Sequence, residues 1–282
     1  MRLAGTAIVA VALLAAGAAL AADPNGPSLL TAPPRASVAK PRAADTDAAT
    51  YDRCMKLARE NPTAARDLAA DWQKRDGAHP ADHCFAVALI GLKQYREAAT
   101  RLEALAQAMV HAPAALRAEV LDQAGQAWLL AGDAARAYAA DGAALELRPD
   151  DADLLTDRAE AAGSAGWFDK AVADLDRVLK TNPSRLDALV YRASANRALD
   201  RLDPALADID MALKLAPDSA EALLERGNIR RLKGDIPGAR QDWLRVAKLA
   251  PGSAEEAAAR TNIERLDQKD APAPAATPAP RQ

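Results

Sequence analysis

Aromatic residues make up only 4% of this 282-residue chain, and cysteine occurs twice. Hydrophobic residues still reach 50%, much of it alanine. Such a core is built from close helix contacts instead of large rings. Period-two runs of β-branched residues are missing outside the N-terminus, while good helix formers dominate between Thr50 and Gln268. The chain also lacks a Gly-rich phosphate loop, a nucleophile elbow and a paired-histidine motif, so no common signature of an enzyme is present. A formal net charge of −3 argues against general nucleic-acid binding, which needs a concentrated basic face.

What is present is a period. Pro149, Pro183, Pro217 and Pro251 stand 34 residues apart. A fixed period of that length marks stacked helical hairpins, which present an extended surface rather than enclose a reactive pocket. Other positions keep the same register. Gly125, Ala159, Ala193 and Gly227 recur on the first helix of each unit, and Ala137, Ala171, Ala205 and Ala239 on the second. Leu175, Ile209 and Trp243 are bulky groups suited to the space those small residues leave, and Asp141 breaks that series in the first unit. Gly132-Asp133, Gly166-Trp167, Asp200-Arg201 and Gly234-Asp235 mark the turn between helices, with residues that tolerate a left-handed helix stop.

This pattern resembles the tetratricopeptide repeat family, best seen in Ala152 to Arg185, Leu186 to Ser219 and Ala220 to Ser253. An upstream unit near His79 to Ala112 fits through Lys93 to Ala98, Leu102 and Leu105, and a further unit runs from Glu119 to Asp150. The hairpin from Thr50 to Gly77 is degenerate, since no small residue clearly takes its close-packing site. Five recognisable repeats and one degenerate one thus imply an all-α fold, an α-solenoid winding as a right-handed superhelix. The resemblance further implies an inner groove, lined by first helices, for a peptide or helix. Ser253 to Gln268 reads as the polar cap such an array needs, with Ser253 and Glu256 at capping-box spacing.

The expected organisation is a signal peptide over 1–21, a disordered Pro/Ala-rich linker over 22–49, the solenoid with its cap over 50–268 and a disordered Pro/Ala-rich tail over 269–282. Arg2 precedes about twenty uncharged residues, and Ala19-Leu20-Ala21 places small residues where signal peptidase inspects the chain. The sequence therefore predicts a periplasmic or secreted protein. An uncleaved segment anchoring it in the inner membrane is the alternative.

Export changes the meaning of Cys54 and Cys84. Thirty residues apart, they lie near one repeat length, which suits the first helices of adjacent hairpins. In an oxidising compartment an even pair predicts a disulfide, and closing that loop stabilises by about 3–4 kcal/mol on the chain-entropy model. His79, His83 and Cys84 make too few ligands for a closed zinc site once Cys84 is bonded, so no metal and no cofactor are expected; His79 reads as preceding the helix. His111 reads as a surface histidine beside a turn.

Asp174 with Asp176, and Asp208 with Asp210, are not catalytic pairs, because residues two apart on a helix point away from each other. Beside Arg158, Arg192 and Arg226 they read as interhelical ion pairs. Groove candidates are first-helix positions that packing does not claim: Gln126, Glu160, Ser194 and Asn228 in one row, Leu129, Gly163, Arg197 and Arg231 in another, with Leu130 and Leu232 adding apolar contact. Glu119, Asp153, Asp187 and Glu221 form a row in the helix first turns, where the dipole explains them. Thr156, Val190 and Leu224 stand where a carboxylate clamp of this family would place basic groups, so that clamp is not expected. The reading is a non-catalytic scaffold or adaptor for a protein or peptide partner, with no nucleic acid and no small-molecule substrate. The alternatives are an accessory factor for cell-envelope or secretion-complex assembly and, least favoured, a metal protein or enzyme.

Overall fold

The computed structural model describes residues 43–75 and 77–270. The signal peptide, most of the linker and nearly all of the C-terminal tail expected from the sequence lie outside them. Thirteen helices and no strand occur among the described residues, and the chain divides into two compact units, 1–101 and 102–282.

In the first unit, α1 (Ala43–Glu60), α2 (Pro62–Gln73) and α3 (Ala78–Gly91) pack on one another. Asn61 starts α2 by accepting a hydrogen bond from the Ala64 amide at 3.2 Å, and Pro62 follows where a missing N–H costs nothing. Helix α1 begins at Ala43, ahead of Thr50. Cys54 on α1 and Cys84 on α3 are joined by a disulfide with Cα atoms 6.1 Å apart, and both are fully buried beside Met55 and Ala69. The pair thus ties the first helices of two adjacent hairpins, as the spacing predicts. His79 sits within the first turn of α3, not before it. The Tyr51 hydroxyl meets His83 Nδ1 at 2.8 Å, and burial pushes the Tyr51 hydroxyl up to about 12.

Helix α4 (Tyr95–Ala108) spans the division between the units. The second unit continues with α5 (Ala114–Leu130), α6 (Ala134–Leu147), α7 (Ala152–Ser164), α8 (Phe168–Thr181), α9 (Leu186–Ala198), α10 (Leu202–Leu215), α11 (Ala220–Leu232), α12 (Ile236–Leu249) and α13 (Ala254–Asp270). Each of the four periodic prolines falls two residues past the end of a second helix. There it cannot extend the helix. The turns inside the hairpins use the left-handed region, at Gly132, Gly166 and Gly234 and also at Asp200, where φ is +59°.

One continuous core runs from Ala118 to Leu266. Its alanines let the helices approach, and a second-helix side chain fills each gap. Trp243 rests on Gly227, where an added Cβ would lie 2.4 Å from the indole Nε1. Leu175 and Ile209 are fully buried at the matching positions. Ser253 Oγ accepts from the Glu256 amide at 3.1 Å at the start of α13, but Glu256 reaches back to the Gly252 amide rather than to that of Ser253. That hydrogen bond holds the Glu256 carboxyl below its ordinary range.

Each first helix in the second unit packs on the next first helix, α5 on α7, α7 on α9, α9 on α11 and α11 on α13. Among the second helices α6, α8, α10 and α12, no two pack extensively on each other. The first-helix row is therefore the tighter, inner side of this stack.

Candidate functional site

On the first-helix side, α5 contributes Gln126, whose Nε2 donates to Asp122 Oδ2 at 3.0 Å, and the half-buried Leu129. Helix α7 contributes half-buried Glu160. Further along, the side chains join into one polar row. Arg197 on α9 donates from Nε to Glu225 Oε1 on α11 and from Nη2 to Ser194 Oγ at 3.4 Å. Asn228 donates to Glu225 Oε2 at 3.3 Å and accepts from Asn262 Nδ2 on α13 at 2.9 Å. Glu225 is buried. Arg231 and Leu232 are exposed at the end of α11, and Leu130 is exposed at the corresponding end of α5.

The fold thus brings Ser194, Arg197 and Asn228 together and leaves Gln126, Leu129 and Glu160 apart from them. The sequence reading did not single out Glu225 and Asn262, which complete the row. A carboxylate between an arginine and an asparagine would have pointed to Glu225 only once the inter-repeat distance was known. The arginine is already neutralised within the chain, so the row offers oriented hydrogen bonding more than net charge.

The opposite hairpin faces carry the predicted ion pairs. Arg158 donates from Nε and Nη2 to both oxygens of Asp174 at 2.8 and 2.7 Å. Arg192 does the same with Asp208, and Arg226 with Asp242, an acid that the sequence analysis did not single out. Two-point pairing suits the planar guanidinium and holds each arginine further above its ordinary pKa. Second helices of the preceding hairpins add a further carboxylate, Asp176 to Arg192 Nη1 at 2.7 Å and Asp210 to Arg226 Nη1 at 3.6 Å.

Asp141 behaves differently. It takes the core position held by Leu175, Ile209 and Trp243 in later hairpins, is only 1% exposed, and neither of its oxygens has a hydrogen-bond partner. Its Oδ1 lies against Gly125. Burial, reinforced by Asp122 and Asp157, pushes its carboxyl up to about 9. Burial and then Asp157 raise Asp122 as well.

Glu119 is not in a helix first turn, because α5 starts at Ala114; Asp153, Asp187 and Glu221 are. Thr156 is buried, its hydroxyl donating to the Ala152 carbonyl, and Val190 is buried too. Among the described residues no group of three or more His, Cys, Asp or Glu side chains is placed to hold a metal ion, and no helix is long and apolar enough to cross a membrane.

The tetratricopeptide repeat profile matches residues 156–220 and 201–254. No curated protein matches the chain significantly. Among solved structures, a tetratricopeptide repeat protein from Parabacteroides merdae superposes with a TM-score of 0.67 at 13% identity, covering 78% of this chain and 88% of the other. YrrB, a TPR protein with an unusual peptide-binding site, gives a TM-score of 0.51 at 15% identity, over 69% of this chain and 96% of its own. At these identities the likeness is one of fold. Profile, period and helix packing agree: residues 156–254 match the tetratricopeptide-repeat family, and the helical stack has the tetratricopeptide-repeat fold.

Proposed function

We propose that this protein is a non-catalytic interaction scaffold of the bacterial periplasm, binding a peptide or helix of a partner protein along the first-helix face of its second unit. The observation that carries this reading is the polar row from Ser194 and Arg197 through Glu225 and Asn228 to Asn262, which crosses three successive first helices. It aligns donors and acceptors along the first-helix side of the stack, and exposed Arg231 and Leu232 follow Asn228 on α11. A peptide laid there meets fixed hydrogen-bonding groups with apolar contact at the edge, the mixture of a specific interface. The like fold of YrrB carries a peptide-binding site. The Cys54–Cys84 bond supports an oxidising compartment, as does the N-terminal sequence. Repeat folds of this kind work as scaffolds, which is why no reaction is proposed.

The test is gentle cross-linking in the host envelope, followed by mass spectrometry of what the purified protein retains. The wild type is expected to capture a partner that an Arg197→Ala, Asn228→Ala, Arg231→Ala triple variant loses. Equal capture moves the site off this face, and no capture by either removes the scaffold reading.

A further inference from the structure

The 34-residue register makes one side chain conspicuous by its replacement. Arg192 and Arg226 each use Nε and Nη2 for the aspartate of their own hairpin and turn Nη1 to an aspartate of the preceding hairpin, Asp176 and Asp210. For Arg158 the matching position on α6 is Gly142. Arg158 makes the two-point pair with Asp174, and no carboxylate among the described residues is bonded to its Nη1. A Cβ built at Gly142 would meet a single neighbour within 4 Å, Arg158 Nη1 at 3.9 Å. The space where the repeat elsewhere places a carboxylate is open, and the guanidinium edge that would bind it is in place.

That space belongs to a cleft of about 530 Å³ lined by Tyr138, Gly142, Glu146, Pro149, Arg158 and Arg177. Its walls are fixed. The Arg158 guanidinium lies 5.2 Å from the Tyr138 ring centre, Lys170 Nζ lies 4.9 Å from the same ring, and Trp167 packs edge-on against it. Arg177 stands at the rim, held through Nη2 by the Pro149 carbonyl and Asp150. Asp141, next to Gly142 in sequence, does not supply the missing contact: its oxygens lie against Gly125 and bond to nothing. The open Nη1 edge of Arg158 thus faces the spot from which the repeat's own acid has been removed, in a cleft that Arg177 and Glu146 also line and that has room for a side chain.

We infer that the cleft at Gly142 receives an aspartate or glutamate side chain from a partner protein, whose carboxylate takes the Arg158 Nη1 edge that Asp176 and Asp210 occupy in the next two hairpins. The partner completes the ion-pair ladder in trans. The open guanidinium edge fixes the occupant: with Nε and Nη2 held by Asp174, Nη1 is left to donate to a carboxylate oxygen, and the same chain shows twice how one sits there. This site is on the second-helix side and stands independently of the first-helix face.

The chain's own register supplies the test. Gly142→Asp restores the intramolecular acid and is expected to close the site, whereas Gly142→Ala leaves the Nη1 edge free and controls for helix propensity. The probe is a fluorescent, end-blocked hexaglutamate peptide, with hexaglutamine as the neutral control, measured by anisotropy at low salt. Wild type and Gly142→Ala are expected to prefer hexaglutamate, and Gly142→Asp to bind it at least tenfold more weakly with an equal or higher Tm. Equal affinity of wild type and Gly142→Asp overturns the inference, as does a wild type that does not discriminate the two peptides. The triple variant of the first-helix face is expected to bind hexaglutamate like wild type, so the two sites fail separately.

Discussion

Trp243 and Gly227 occupy adjoining space with nothing to spare: the indole is fully buried, its Nε1 donates to the Leu224 carbonyl at 3.4 Å, and a methyl on residue 227 would stand 2.4 Å from that nitrogen. Two hairpins upstream the same positions hold Ala159 and Leu175, a larger residue below and a smaller one above. The chain solves one packing problem with two volume partitions.

Gly227→Ala is therefore expected to destabilise the protein by about 1–3 kcal/mol despite its better helix propensity, because overpacking outweighs the gain. Adding Trp243→Leu should recover much of that loss by adopting the Ala159–Leu175 arrangement. Chemical denaturation of the two single variants and the double variant gives the coupling. Additive effects would show that the two residues do not share one space.

Asp141 predicts a pH dependence. Its carboxyl ionises near 3.8 when unfolded but near 9 in the fold, so the native state binds more protons across that interval. Stability is thus greatest below about pH 4 for this group and declines as pH rises toward 9. The groups facing it, Asp122, Asp157, Arg158 and Glu160, leave burial as the leading cause. Asp141→Asn should flatten the fall in Tm between pH 5 and 9, leaving the slope that Asp122 contributes. Asp141→Leu, which restores the residue type of position 175, should raise Tm at pH 8 by several degrees. Parallel Tm curves for wild type and Asp141→Asn would refute the assignment.

Lys93 and Asp200 hold left-handed turns, with φ of +60° and +59°, where three other hairpins use glycine. A side chain in that region costs about 1–2 kcal/mol, less for aspartate, whose short polar group is tolerated there. Replacing either by glycine should stabilise the protein by about 0.5–1 kcal/mol, Lys93→Gly more than Asp200→Gly. Thermal unfolding of the two variants checks both the sign and the order.

Much of this architecture was legible in the sequence because it repeats. The prolines, the small residues and the Arg158, Arg192 and Arg226 pairs each fall in one register, and each does what that register implies. What stayed hidden depends on a single contact or a single departure. Glu119 shares a row with Asp153, but α5 starts early enough to place it beyond the first turn. Arg197 and Asn228 could be singled out as first-helix residues, yet their shared partner Glu225 became visible only through the distance between α9 and α11. Asp141 was noticed as a break in a series, but a letter does not reveal that its carboxyl is dry and unpaired.

The disulfide also bears on how firmly α1 is held in the first unit. In a stack whose members lean only on their neighbours, a terminal member has support on one side and is the first to come away. The covalent tie between α1 and α3 denies that freedom to α1, while α13 in the second unit is held by packing, a few polar contacts and its own cap. Reduction of that bond would return this freedom to α1, which packing on α2 and α3 alone would then hold.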